Sequence, residues 1–343
     1  MNFCSDNATP ANPEVIEHLA KVNQGLQMPY GADDVTERVR LKLCEIFETD
    51  LAIFPVATGT AANVLSLSLL TPPHGAVICH EESHINVDEC GAPEFFTHGA
   101  KLIGLAGAGA KLTPDAVTAA LDWDWRGVAH HVQPACMSLT QATEYGLAYT
   151  VDEVKAMKAV CDRFELSLHM DGARFANALV GLDCAPADIT WRAGVDILSF
   201  GATKNGALGA EAVILFDRSR EQEMHFRRKR GGHLFSKMRF LSAQLEAYLS
   251  DDLWLRNAGH ANQMASELGN GLAQLDGVDL VHQVQANEVF VRLPESIFKN
   301  LRAQGFEFYD WPLGGPDCYR FVTAWSTEKS HVSALLAAAV GKK

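Results

Sequence analysis

Short apolar runs separated by amphipathic helical patterns fill the first two-thirds of the chain, and this alternation restricts the fold more than any other feature. Leu51–Ala57, Ala76–Cys79, Leu102–Ala106, Ala135–Leu139, Leu166–Met170, Ile197–Phe200 and Ala212–Phe216 are apolar stretches of strand length. Between them, Asp34–Glu48 places Val35, Val39, Leu43 and Ile46 on one helical face. Val151–Phe164 does the same with Val154, Met157, Val160 and Cys161. Thr113-Pro114-Asp115 marks a helix start, with threonine as cap and proline in the first turn. Strands without polar alternation are covered on both faces, so the expectation is an α/β fold with a mostly parallel sheet. Ligands of such sheets bind beyond the carboxyl ends of the strands. Thr58-Gly59-Thr60, Thr140–Thr143, Asp171–Arg174 and Thr203-Lys204 all fall there.

The pattern changes after about Phe240. A helical stretch runs from Ser242 to Leu275, with a break expected near Gly259. Strand-like runs follow at Val278–Val284, Glu288–Leu293, Phe306–Asp310 and Tyr319–Trp325, and a helix over Lys329–Val340 closes the chain. The 343 residues suffice for a large and a small lobe. The expected division is a large domain over 1–245 and a smaller α+β domain over 246–343.

A net charge of −13 argues against a nucleic-acid backbone as the main partner. The basic run Arg227-Arg228-Lys229-Arg230 reads either as a solvated helix end or as a local phosphate site. The eight cysteines contain no close CxxC pair. Cys136, Cys161 and the others read as small buried fillers in a reducing cytoplasm. No run approaches the length of a membrane span or resembles a signal peptide.

Chemistry concentrates on a few positions. Lys204 follows an apolar strand and precedes Asn205-Gly206 in a small-residue loop. An amine at the mouth of a sheet is desolvated, which favours the neutral, nucleophilic form. Asp171 ends another apolar strand 33 residues upstream. A carboxylate there needs a partner: either the amides of the following helix start or a cofactor's pyridinium nitrogen. A Schiff-base lysine with a pyridinium-pairing aspartate is the pattern that holds pyridoxal 5'-phosphate. Thr58-Gly59-Thr60 opens a helix whose first amides suit a phosphate, and Thr60 adds a hydroxyl. His84, after the second strand, can stack on a cofactor ring and transfer protons. Arg174 and Arg320 are either anion receptors or structural ion pairs. Ser5 offers a further hydroxyl.

Together these segments resemble the L-threonine aldolases, pyridoxal-phosphate enzymes of fold type I, the aspartate aminotransferase-like fold. Ser5-Asp6-Asn7, Tyr30-Gly31 with Asp33-Asp34, Thr58-Gly59-Thr60, His84, His169-Met170-Asp171-Gly172-Ala173-Arg174, Lys204 and Arg320 follow the family's motifs in order over almost the whole chain. One departure is Thr143, which stands where many members have a second histidine. The resemblance implies Lys204 and His84 as catalytic residues. It implies Gly59, Thr60, His84, Asp171, Arg174, Lys204 and Lys229 around the cofactor, with Lys237 left open. Ser5, Tyr30, Arg174 and Arg320 would contact the substrate, and no metal is implied. It further implies a cytoplasmic homotetramer of catalytic dimers, with Tyr30 and the Arg228–Lys237 segment crossing into the neighbouring site.

The implied reaction is retro-aldol cleavage of L-threonine or L-allo-threonine, or of related 3-hydroxy amino acids, to glycine and an aldehyde. His84, or a water it positions, would take the β-hydroxyl proton. Two alternatives stay open from sequence: another fold type I enzyme, such as an aminotransferase or β-eliminating lyase, and a non-catalytic binding protein on the same scaffold.

Overall fold

In the computed structural model, which describes residues 1–122 and 126–341, the seven apolar runs form one sheet. They are β1 (Ala52–Val56), β2 (Gly75–His80), β3 (Lys101–Leu105), β4 (Gln133–Thr140), β5 (Ser167–Gly172), β6 (Ile197–Gly201) and β7 (Glu211–Leu215). Their order is β1-β7-β6-β5-β4-β2-β3, and β7 alone runs against its neighbours. The expected mostly parallel sheet is therefore present. β1, β2, β6 and β7 are buried along their whole length, as continuous apolar runs require.

The covering helices form where the apolar spacing places them. Helix Asp34–Phe47 is capped by the Asp33 carboxylate and buries Val35, Val39, Leu43 and Phe47. Helix Val151–Arg163 starts with a reciprocal Thr150–Glu153 capping box. Thr113 caps helix Pro114–Leu121 through the Ala116 amide.

A second sheet combines β8 (Asp279–Leu280), β9 (Glu288–Arg292), β10 (Tyr309–Asp310) and β11 (Cys318–Val322), all antiparallel, in the order β10-β11-β9-β8. Helix Lys329–Val340 packs with this lobe. The long helical stretch differs from expectation. It is divided at Ser250–Asp252, where Asp251 and Asp252 adopt left-handed backbone angles, and helix Leu253–Leu272 runs through Gly259 unbroken. Aspartate enters the left-handed region more readily than most residues. Glycine in a helix interior costs only about 1 kcal/mol, which tertiary packing readily outweighs.

The main core includes Trp254 and Ala258, whereas Met264, Leu268 and Leu272 of the same helix belong to the small-lobe core. The N-terminal strap closes on the small lobe: Phe3 is buried there, and its carbonyl accepts from the Val322 amide at 2.8 Å.

Candidate functional site

The carboxyl edge of the large sheet presents one chemical group after another, in strand order. Thr58-Gly59-Thr60 follows β1, Glu211 begins the reversed β7, and Lys204 follows β6. Asp171 lies near the end of β5, Thr140 at the end of β4, and His84 beyond β2. All line one cleft of about 460 Å³, whose opposite wall includes Ser5, Glu288, Trp311 and Arg320.

Helix Gly59–Leu70 begins at one end of this cleft. Thr58 Oγ1 accepts from the Ala61 amide at 3.1 Å, while the amides of Gly59 and Thr60 precede the helix's own hydrogen-bond ladder. A Cβ on Gly59 would meet nothing within 4 Å, so the backbone there is open to an incoming group.

Asp171 meets a backbone amide, as one of the two sequence alternatives expects, and a side-chain amide. Its Oδ1 accepts from the Ala173 amide at 3.0 Å, and its Oδ2 accepts from Asn63 Nδ2 at 2.8 Å. The same Asn63 amide donates to Glu89 Oε1 at 2.9 Å, and Glu89 Oε1 lies 2.8 Å from His84 Nδ1. His84 is thus anchored through a fully buried carboxylate. The hydrogen bond that the ring donates to Glu89 raises the imidazole's proton affinity, against the opposing effect of burial.

On the other side, Arg174 Nε and Nη2 hold Asp6 at 2.8 and 3.0 Å in a two-pronged pair, and its Nη1 lies 3.5 Å from Glu288. Burial pushes the Asp6 carboxyl up, but Arg174 with Lys204 and Asn287 outweighs it and holds the group below the usual carboxylate range. Arg320 sits over the Trp311 and Tyr309 rings at 4.8 and 5.3 Å, and its Nη2 donates to the Cys4 carbonyl. Its Nε is buried without a partner. Glu288 shares this corner with both oxygens unbonded, and burial raises its carboxyl despite the two arginines, which weakens its hold on them.

Two expected residues lie outside the cleft. Lys229 Nζ sits 5.0 Å from the centre of the exposed Tyr30 ring, on the outer surface of the same chain. Arg228 beside it turns inward over Phe54, and burial lowers its guanidinium to about 10. Lys237 is exposed nearby.

Residues 2–296 match the model of the beta-eliminating lyase family. The chain is 44% identical to a low-specificity L-threonine aldolase of a Pseudomonas species over 98% of this chain and 96% of that one. The chain belongs to the low-specificity L-threonine aldolase family. It is 43% identical to the corresponding Pseudomonas aeruginosa enzyme over 97% of this chain and 95% of that one. A Leishmania major threonine aldolase structure superposes with a TM-score of 0.92 at 27% identity, covering 99% of this chain and 98% of that one. The fold is fold type I, as a Sphingomonas wittichii serine palmitoyltransferase also shows (TM-score 0.73 at 14% identity, 99% of this chain and 86% of that one).

Within this family frame, sequence reasoning missed Asn63, Glu89, Glu144, Glu211 and Glu288. Each is an ordinary residue type in a helix, loop or strand, and only burial at a shared cleft singles it out. Burial pushes the Glu144 and Glu211 carboxyls each up to about 7. The signal available in sequence was position: Glu144 directly follows the segment in which the family's second histidine is absent.

His169 lies beneath Asp171 on β5. Its ring nitrogens meet Ser138 Oγ of β4 at 2.9 Å and Ser199 Oγ of β6 at 3.0 Å, joining three strands. Burial lowers its proton affinity to about 4, so the folded state keeps the ring neutral. The unfolded chain protonates this histidine at about pH 6.5. Its contribution is therefore full above that pH and lost as pH falls toward about 4, on the order of 3 kcal/mol in all. Urea titrations across this window should show that loss in the wild type. His169→Gln should flatten it, and an unchanged pH slope in the variant would contradict the assignment.

Proposed function

We propose that the chain cleaves the Cα–Cβ bond of L-threonine and L-allo-threonine, and of related 3-hydroxy amino acids, releasing glycine and an aldehyde. The observation that carries this reading is a single cleft with Lys204 and Asp171 on one wall and an arginine with an unpartnered buried Nε on the other. The residues fit pyridoxal 5'-phosphate. Lys204 would hold its aldehyde carbon and Asp171 its ring nitrogen. The open amides of Gly59 and Thr60 would hold its phosphate, and His84 would lie against its ring. When bound, the cofactor supplies an electron sink for the pair released by the broken bond.

The chain's own residues supply orientation. Arg320, Arg174 and Ser5 receive the substrate carboxylate, and the Asp6 pair keeps Arg174 from swinging away. Fixing the carboxylate selects which bond at Cα breaks, because only a bond held perpendicular to the ring overlaps its π-system. Asn63 ties Asp171 and Glu89 together, so the residues meeting the ring nitrogen and the ring face are set by one amide.

Tyr30 and Lys229 serve a neighbouring subunit in this reading. Their place outside the chain's own cleft supports it. So do the exposed apolar residues Leu26, Met28, Phe226 and Phe235 on the adjoining segments, which the Tyr30 amide to Ser236 carbonyl bond joins. A homotetramer of catalytic dimers follows as the proposed assembly. Among the described residues no helix is long and apolar enough to cross a membrane. A cytoplasmic location belongs to this reading through the family resemblance.

Incubating the cofactor-loaded protein with L-threonine should give glycine and acetaldehyde in equal amounts. Ammonia with a keto acid in place of acetaldehyde would select β-elimination and overturn the aldolase reading.

A further inference from the structure

Glu144 is a carboxyl the reaction has not yet used, and it occupies the side of the cleft next to His84. It follows β4 in a tight reversal. The Thr143 amide donates to the Leu147 carbonyl, and the Gly146 amide donates back to the Thr143 carbonyl, each within 2.8 Å. Thr143 Oγ1 donates to the Gly109 carbonyl at 2.9 Å and accepts from the Tyr145 and Leu147 amides. The residue that replaces the family's second histidine therefore builds the turn that presents its neighbour.

The two carboxyl oxygens of Glu144 differ. Oε1 accepts from Thr140 Oγ1 at 2.9 Å and from the His84 amide at 3.0 Å. Oε2 is buried and has no partner. A carboxyl with one oxygen held by two donors takes its exchangeable proton on the other. His84 is differently placed. Its Nδ1 is engaged by the buried Glu89 at 2.8 Å, which fixes the ring and raises its proton affinity. Thr140 of β4 and the His84 amide hydrogen-bond Glu144, while Asp171 of β5, Arg174, Cys79 and Tyr149 interact with it through charge, and Glu89 and Lys204 line the same cleft.

We propose that Glu144 is the catalytic base, accepting the substrate's β-hydroxyl proton on Oε2, while His84 packs on the cofactor ring. This replaces the sequence reading of His84 as the base and rests on the aldolase function proposed above. In the step, the hydroxyl O–H bond breaks and its proton goes to Oε2. The C–O bond becomes the aldehyde carbonyl, the Cα–Cβ bond breaks, and its electron pair stays with Cα. Cα takes a proton from solvent water to give glycine, and Glu144 returns its own to solvent, so the protons balance. The site is matched to the task, because burial brings this carboxyl to about 7, where it is a base near neutral pH and still strong enough to take a proton.

Glu144→Gln tests the proposal, since it keeps the size and the Oε1 acceptor for Thr140 and the His84 amide and removes only the ability to take a proton. With L-threonine and the cofactor-loaded enzyme, kcat should fall by about 10²–10⁴-fold, with KM changed less than about threefold and the acid limb of the kcat profile lost. A kcat within about fivefold of wild type with its acid limb retained would overturn the proposal. An activity-independent readout accompanies it. The infrared carbonyl band of protonated carboxyls, followed between about pH 6 and about pH 8, should lose one titrating component in Glu144→Gln and keep the component of Glu211. Two components persisting in the variant would also overturn it. A wild-type protein that releases no acetaldehyde fails at the aldolase reading itself, which the wild-type control separates from a failure of Glu144.

Discussion

Lys204→Ala should abolish turnover and cofactor attachment together. Removing the residue that carries a covalent intermediate costs on the order of 10⁶-fold in rate in comparable cases, and among the described residues the amine has no substitute in the cleft: the other basic chains lining it, Arg174 and Arg320, are guanidinium groups that cannot act as nucleophiles. The wild-type protein mixed with pyridoxal phosphate should show a yellow absorbance that borohydride fixes to the chain. The variant should show neither the fixed label nor acetaldehyde release. A variant that still yields a borohydride-fixed chromophore would mean that another lysine holds the cofactor. Lys204 is only partly buried in a one-turn segment, Thr203–Asn205, so the urea midpoint of the cofactor-free variant should match that of the cofactor-free wild type.

Arg174→Leu should lower stability by about 3–5 kcal/mol at neutral pH, the usual result of removing one partner from a buried ion pair. Asp6 has 1% of its side chain exposed and Arg174 11%, so water cannot replace the lost guanidinium. The sign of the pH dependence follows from Asp6. Its folded-state proton affinity lies below the ordinary value, so the pair stabilises the fold above the unfolded aspartate's pKa of about 3.9, and that contribution is lost as pH falls through the lower folded value. In Arg174→Leu burial acts without its main counterweight, and the carboxyl is driven toward its neutral form. The stability gap between wild type and variant should thus be widest near neutral pH and narrow in acid. Urea unfolding at matched protein concentration measures both, and a gap that stayed constant into acid would show that the pair is not its source. Substrate affinity should fall as well, because Arg174 and Arg320 flank one corner.

The large sheet was legible because a buried strand is a local pattern. Each of its seven runs carries its signature within a few residues, and the strand ends brought Lys204, Asp171, His84 and the Thr58–Thr60 turn to one edge. The small lobe was less legible: the run Val278–Val284 yields only the two-residue β8, and Phe306–Asp310 only β10. The hydrophobic residues there fill a core around a short sheet, and apolar content does not distinguish a paired strand from a buried loop. The helix break fell at Asp251–Asp252 rather than Gly259, since a left-handed turn is set by what the chain must do next and not by the weakest helix former.

By itself the sequence determined the apolar frame and the order of the chemical groups along it, because periodicity and strand-end position are properties of neighbouring residues. The lysine, the aspartate and the glycine turn follow from that order. Which charges meet was decided only by the tertiary structure. Asp6 reaches Arg174 across 168 residues, Glu144 reaches the His84 amide across 60, and Glu288 enters from the small lobe between two arginines. An acidic residue carries no local mark of whether it will be solvated or buried. Its proton affinity, and hence its chemical role, is set by the partners and the water that folding brings to it or takes away.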